Sequence, residues 1–294
     1  MRLMNTLSLD HVGVIVGDLD NGQEVYKRLG FRLTARSFHS GSRDPGDPVT
    51  PWGSGNHCAM FKRGYLEIMG IHDPQMYSSA TAMLAKYEGT HIVAMGWDNA
   101  DAGYALLSNR APGVRAPATL ERDAPFGIDD SQSRRARFRN TKLDPQLYPE
   151  ASFLFIEHMT RDVLWQPHLL DHPNGAVAIQ EAVIASAEPD DTCARLAQVL
   201  GQAPLPKRHG GHAFTLANGA LLYVLPASEV SQWARGVAPP ALPCVAGLGV
   251  MVSDLDVTKS WLSANEVEWH AHPYAAIWVA PRQTCGTIIS FIQS

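Results

Sequence analysis

Apolar and polar positions along the chain fall into one pattern that recurs four times. LDHVGVIVGDLD is a β-branched run closed by a turn. NGQEVYKRLG follows, with Val25, Tyr26 and Leu29 at helical spacing and a glycine stop. FRLTARSFHS, NHCAMFKRG and YLEIMGI then read as short strands, and GSRDPGDPVTPWGSG, rich in Gly and Pro, reads as the loop between the first two. The second copy opens on HIVAMGWDNADAGYALLSNRAPG and continues with GVRAPATLER, RRARFRN and ASFLFIEHM. A connector, WQPHLLDHPNGA, separates it from the third copy, AVAIQEAVIAS, DDTCARLAQVLG, GHAFTLANG and ALLYVLPAS. The fourth is AGLGVMVSDLD, VTKSWLSANEVEW, AIWVAPR and TIISFIQS. VGVIVGDLD and LGVMVSDLD, which open copies one and four, nearly repeat each other, the clearest internal sign of duplication.

This order predicts an α+β fold of four βαβββ modules. Each module covers one face of its sheet with its own helix and must bury the other against a partner. Modules one and two are expected to close one half-barrel over residues 1–165, and modules three and four a second over 176–294. The competing arrangement pairs module one with module four.

Alternation of side chains along strands then selects candidate chemistry. Val12, Val14 and Val16 share the face that meets the helix, so His11, Gly13 and Ile15 point into the cavity. Glu67 and Met69 are expected to face that cavity too. In the second module His91, Val93 and Met95 share one face, and Phe153, Phe155 and Glu157 share another. Each N-terminal module thus offers a His in its first strand and a Glu in its last. A carboxylate inside an apolar barrel is costly unless paired or bound to metal. His11, Glu67, His91 and Glu157 together make a mixed N/O set that suits one divalent ion, Fe, Mn, Ni, Co or Zn. His57 is a candidate for touching substrate, weighed against a structural role. Arg135, Arg137 and Arg139 share a face, and Arg137 is the candidate for an anionic substrate group. Modules three and four carry no His in their first strands and no Glu in their last, so the metal is expected in the N-terminal half alone.

The βαβββ repeat with these four residues resembles the vicinal oxygen chelate superfamily. THIVAMGWDNADAGYALL is similar to the opening of the second module of glyoxalase I, and YLEIM and FLFIEH sit where that enzyme's ligating glutamates sit. GSGNHCAMFKRGYLEIMGI and FLFIEHMTRDVLWQPHLLDHPNGA more closely resemble the glyoxalase-like domain branch. The likeness covers the whole chain at the level of repeats and is specific over residues 8–176. It implies a metal-dependent lyase or isomerase acting on a small substrate with vicinal oxygens, with Glu157 as the base. It leaves room for an Fe(II) extradiol-type ring-cleavage dioxygenase using His11, His91 and Glu157. A third fate is a metal-free protein that binds and sequesters a small molecule.

Composition narrows the classes further. Of 294 residues, 45% are apolar and 18% charged, with a net charge of −5, so the chain is globular and offers no basic surface for nucleic acid. No apolar run reaches the length of about eighteen residues that a membrane span needs. The opening Met-Arg-Leu-Met-Asn leads into no signal-type apolar stretch. Cys58, Cys193, Cys244 and Cys285 form no CxxC pair. These features predict a cytoplasmic chain with reduced thiols, a small-molecule partner, and a monomeric or homodimeric state.

Overall fold

The computed structural model describes residues 7–41, 47–206, 211–272 and 276–294; the opening residues on which the leader reading rests lie outside these. The first module comprises β1 (Ser8–Val16), α1 (Leu19–Arg28), β2 (Ser37–Gly41), β3 (Thr50–Met60) and β4 (Tyr65–Ile71). A short α2 (Ala80–Leu84) leads to the second: β5 (Gly89–Gly96), α3 (Ala100–Ser108), β6 (Ala118–Phe126), β7 (Gln132–Lys142) and β8 (Ser152–His158). After α4 (Arg161–Leu164) and the connector come β9 (Ala176–Ser186), α5 (Pro189–Leu200), β10 (Leu205–Pro206), β11 (His212–Thr215) and β12 (Leu221–Pro226). The last part holds α6 (Ala227–Trp233), β13 (Cys244–Val252), α7 (Leu255–Ala264), β14 (Trp269–His272), β15 (Ala276–Val279) and β16 (Ile288–Gln293).

Two eight-stranded sheets result, in the orders β2-β3-β4-β1-β5-β8-β7-β6 and β10-β11-β12-β9-β13-β16-β15-β14. The first strands of modules one and two pair antiparallel, as do those of modules three and four. The pairing of module one with module four is therefore excluded. Two expected boundaries shift. Residues 31–36 form no strand, and the end of the Gly- and Pro-rich loop joins β3.

The duplicated phrase works the same way in both places. Asp18 accepts hydrogen bonds from the Asp20 and Asn21 amides and starts α1, and Asp254 accepts from the Asp256 and Val257 amides and starts α7. Val12, Val14 and Val16 face the helix side, where they join one core with Ile179, Ile184, Val250 and Phe291 of the other half. Polar ties cross the same seam. The Tyr26 hydroxyl donates to the Thr284 carbonyl at 3.1 Å, and Phe31 stacks on Phe291. Arg195 pairs with the buried carboxylate of Glu150. In the connector, Asn174 donates to the Leu29 carbonyl and accepts the Ala176 amide, while Thr258 donates to the Asn174 carbonyl. No helix among the described residues is long and apolar enough to cross a membrane.

Candidate functional site

The concave face of the N-terminal sheet encloses a cavity of about 1040 Å³. Two rows of paired residues cross its floor. Tyr65, His11 and Ala94 form one, and Glu67, Gly13 and Ile92 the next. Gly13 has a local reason. A Cβ there would lie 2.9 Å from Ile92 Cβ and 3.2 Å from Glu67 Oε2, so glycine leaves that space to the carboxylate.

His11 is held by its neighbour in sequence. A register shift in the β1–β5 ladder falls between Leu9 and His11, which frees Asp10 from strict alternation. The His11 Nδ1–H donates to Asp10 Oδ1 at 2.8 Å, and His158 Nε2 lies 3.1 Å from both Asp10 oxygens. Asp10 is 7% exposed. Burial opposes its ionisation, but the hydrogen bonds from His11 and His158 outweigh it and hold the carboxyl far below the usual carboxylate range. The arrangement fixes the His11 tautomer and leaves Nε2 without a hydrogen-bond partner among the described residues. Tyr65 stacks on the His11 ring at 4.3 Å between centroids, and Tyr65, Phe138 and Trp165 pack edge-on around His158. Glu67 accepts a hydrogen bond from the Asn56 amide. The Cys58 thiol beside them is pushed up to about 12 by burial and then by Glu67, which keeps it unreactive.

Not all the residues expected from sequence meet here. His11, Glu67 and His91 line the cavity. Glu157 does not. It shares the helix face with Phe153 and Phe155, and its Oε2 accepts the Ala100 amide at 2.8 Å at the start of α3. That removes it as base and as ligand. His91 sits at a second register shift in the β1–β5 ladder, which turns it away from the core face of Val93 and Met95. Its Nε2–H donates to the Tyr87 carbonyl at 2.8 Å, and its ring stacks on Tyr87. His11 pairs with Ala94, so His91 lies three residues further along β5, about 10 Å at strand rise. Its ring turns toward Tyr87, whereas the His11 ring turns toward Asp10.

His57 is also structural. It is buried on the opposite face of β3 from Asn56 and Cys58, donates through Nδ1 to the Thr34 carbonyl at 2.8 Å, and accepts Arg36 Nε at 3.4 Å. Arg137 faces outward and pairs with Glu121 at 3.2 Å, because β7 turns Phe138 and Asn140 into the cavity instead. Asp10 and His158 carry the geometry that sequence reasoning missed. The signal available was the Asp-His step in LDHVG.

The family model for a glyoxalase-like domain matches residues 9–200. The chain belongs to the glyoxalase-like domain family. No curated protein matches it significantly. Among solved structures it resembles a hypothetical protein from Staphylococcus aureus, with 12% identity, 98% of this chain and 99% of that one covered, and a TM-score of 0.62. It also resembles a mutant of 4-hydroxymandelate synthase from Streptomyces coelicolor, with 11% identity, coverage of 99% and 93%, and a TM-score of 0.59. A third is the Mn(II)-bound glyoxalase from Novosphingobium aromaticivorans, with 12% identity, coverage of 99% and 83%, and a TM-score of 0.56. At such identities the likeness concerns the fold, which is that of the vicinal oxygen chelate superfamily.

A metal is the group this fold implies, and the residues of this glyoxalase-like chain do not fit one. Among the described residues no three His, Cys, Asp or Glu side chains converge as a metal-binding group. Glu157 lies on the wrong face, the His91 ring turns to Tyr87 with Nε2 on its carbonyl, and His158 Nε2 is engaged by Asp10, so of the expected set only His11 Nε2 and Glu67 remain for an ion.

Proposed function

We propose that this glyoxalase-like protein is a lyase or isomerase for a small carbonyl compound with vicinal oxygens, and that His11 is its base in place of Glu157. The Asp10–His11 pair, opening onto a large cavity, carries this reading. Asp10 keeps the proton on Nδ1, so the Nε2 lone pair faces the cavity. A buried carboxylate that orients an imidazole and stabilises the imidazolium is a recurrent way to make a general base. Nε2 takes a proton from the carbon beside a carbonyl. Its return to the former carbonyl carbon, with the hydroxyl proton passing to the other oxygen, isomerises an α-hydroxy carbonyl compound. Alternatively the C–H electron pair forms a double bond to the carbon on the far side, which expels a leaving group with its bonding electrons, and the proton leaves from Nε2. The stack of Tyr65 on His11 holds the ring for this transfer. No step is routed through a metal, since the ligand set does not assemble.

Deuterium exchange tests the reading. Small α-hydroxy and α-oxo carbonyl compounds are incubated with the protein in D₂O, and incorporation next to the carbonyl is followed by proton NMR. The expected result is protein-dependent exchange with at least one compound, lost in His11→Gln. If the wild-type chain exchanges none of them faster than His11→Gln does, His11 is no base, and sequestration becomes the better account of the cavity.

A further inference from the structure

Arg122 is the cavity group that the proposed proton transfer leaves unused. The strand β6 turns Leu120, Arg122 and Ala124 toward the cavity. Glu121, which also lines the cavity, pairs with Arg135 and Arg137, and Asp123 pairs with Arg135. Arg122 itself meets no carboxylate among the described residues. It donates through Nη1 to Ser37 Oγ on β2, so it joins the two edge strands of the sheet and closes the cavity wall. That bond uses one of the five N–H groups of the guanidinium and fixes the orientation of the rest.

Four carboxylates also line the cavity: Glu121 pairs with Arg137, Glu150 with Arg195, Glu67 accepts from Asn56, and Asp130 is exposed. Lys142 lines the same cavity; burial and then Arg115 lower its pKa, and Glu67 opposes them. His39 also lines it and donates or accepts through Nδ1 with Ser54. Burial lowers the His39 pKa; Glu67 opposes this, and Arg122 and His72 add to it. Phe138 and Tyr65 supply aromatic surface on the same wall.

We infer that Arg122 is the anion receptor of the cavity and that the molecule handled there is a small organic carboxylate. The planar fork of a guanidinium matches a carboxylate with two parallel hydrogen bonds. A phosphate, with more charge and more acceptors, calls for a larger cradle of donors than one anchored arginine. The inference rests on the cavity being the substrate site proposed above, and adds the class of substrate and the residue that selects it.

Benzoate, benzamide and inorganic phosphate are suitable probes, titrated against the full chain by calorimetry. Benzoate and benzamide share shape and differ in charge. Benzoate is expected to bind at least tenfold more tightly than benzamide and than phosphate. Arg122→Gln should weaken benzoate at least tenfold and leave benzamide unchanged, with the fold checked by thermal unfolding. Arg122→Lys, which keeps the charge and loses the fork, should fall between the two and serves if the Gln variant does not fold. Equal binding of benzoate and benzamide, tighter binding of phosphate, or benzoate affinity unchanged in the Arg122 variants would overturn the inference. His11→Gln separates it from the proposed reaction. That variant is expected to stop exchange while benzoate affinity stays within twofold, so absent exchange with Arg122-dependent benzoate binding removes only the reaction.

Discussion

The two halves of the molecule share a scaffold and differ on their concave faces. Gly13 pairs with Glu67 in the first half as Gly249 pairs with Ser290 in the second. Carried outward from those glycines, Asp10 corresponds to Ala246, His11 to Gly247 and Tyr65 to Ile288. These three polar or aromatic groups of the proposed site are thus replaced by small or aliphatic residues. The space is also taken. A Cβ at Gly247 would lie 2.8 Å from the Ile288 carbonyl oxygen and 3.0 Å from the Trp233 ring of α6. Around it Val183, Ala185, Val230, Cys244, Ala246 and Trp278 pack as a core. The helix caps at Asp18 and Asp254 and the strand order are retained, because both halves need them to fold. The polar cluster is retained only where a cavity remains for it to serve.

The largest expected effect comes from erasing this difference at its centre. His11→Gln should lower deuterium exchange by about 10² to 10⁴, the usual contribution of a positioned base, with the fold intact by circular dichroism. A full rate in that variant would leave the N-terminal face no more catalytic than the C-terminal one. Trp233→Ala tests the opposite face. It should cost toward the low end of about 3–5 kcal/mol in a urea titration, because the indole is only partly buried, and should leave exchange unchanged. An exchange rate that falls with it would tie the filled half to the reaction.

Acid should distinguish the halves less sharply. His57 and His172 each use one ring nitrogen as donor and the other as acceptor. His172 donates to the Met60 carbonyl at 2.8 Å and accepts the Arg32 amide at 3.0 Å. Burial lowers both pKa values, so both imidazoles contribute most while neutral. The unfolded chain binds protons near its ordinary histidine value of about 6.5, ahead of the folded one. Stability should therefore be full above that pH and fall as the pH drops below it. Asp10 adds a second loss below the ordinary aspartate value of 3.8, since its folded value lies lower still. Hydrogen exchange read by mass spectrometry over this range should show β3 and the connector opening before β13 and β16. Simultaneous opening would contradict the assignment. The smallest effect belongs to Glu157→Gln. Loss of a carboxylate at the start of α3 should cost about 0.3–1 kcal/mol and leave exchange untouched. A large loss of exchange would return Glu157 to the chemistry.

The module order and the pairing of module one with two and of three with four are legible from alternation and repetition. The failures have one physical origin. Alternation assumes a regular ladder, and register shifts at Asp10 and His91 break it where the site is built. Sequence shows no mark of such a shift, so alternation aims His91 at a shared ion and leaves Asp10 on the far face. Glu157 is different. Phe153 and Phe155 share its face, and two large aromatic residues beside a helix claim that face for the core. Arg137 misleads because the phase of β7 cannot be fixed from RRARFRN alone, and nothing in ATLER singles out Arg122.

Metal retention tests the central claim most directly: that this face is organised around an Asp10-held imidazole and not around an ion. The chain would be loaded in turn with Mn, Fe, Ni, Co and Zn, dialysed without chelator, and assayed by elemental analysis beside His91→Ala. The account predicts no ion retained at one per chain, and no difference between the two proteins. One equivalent held by the wild type and lost from His91→Ala would contradict it.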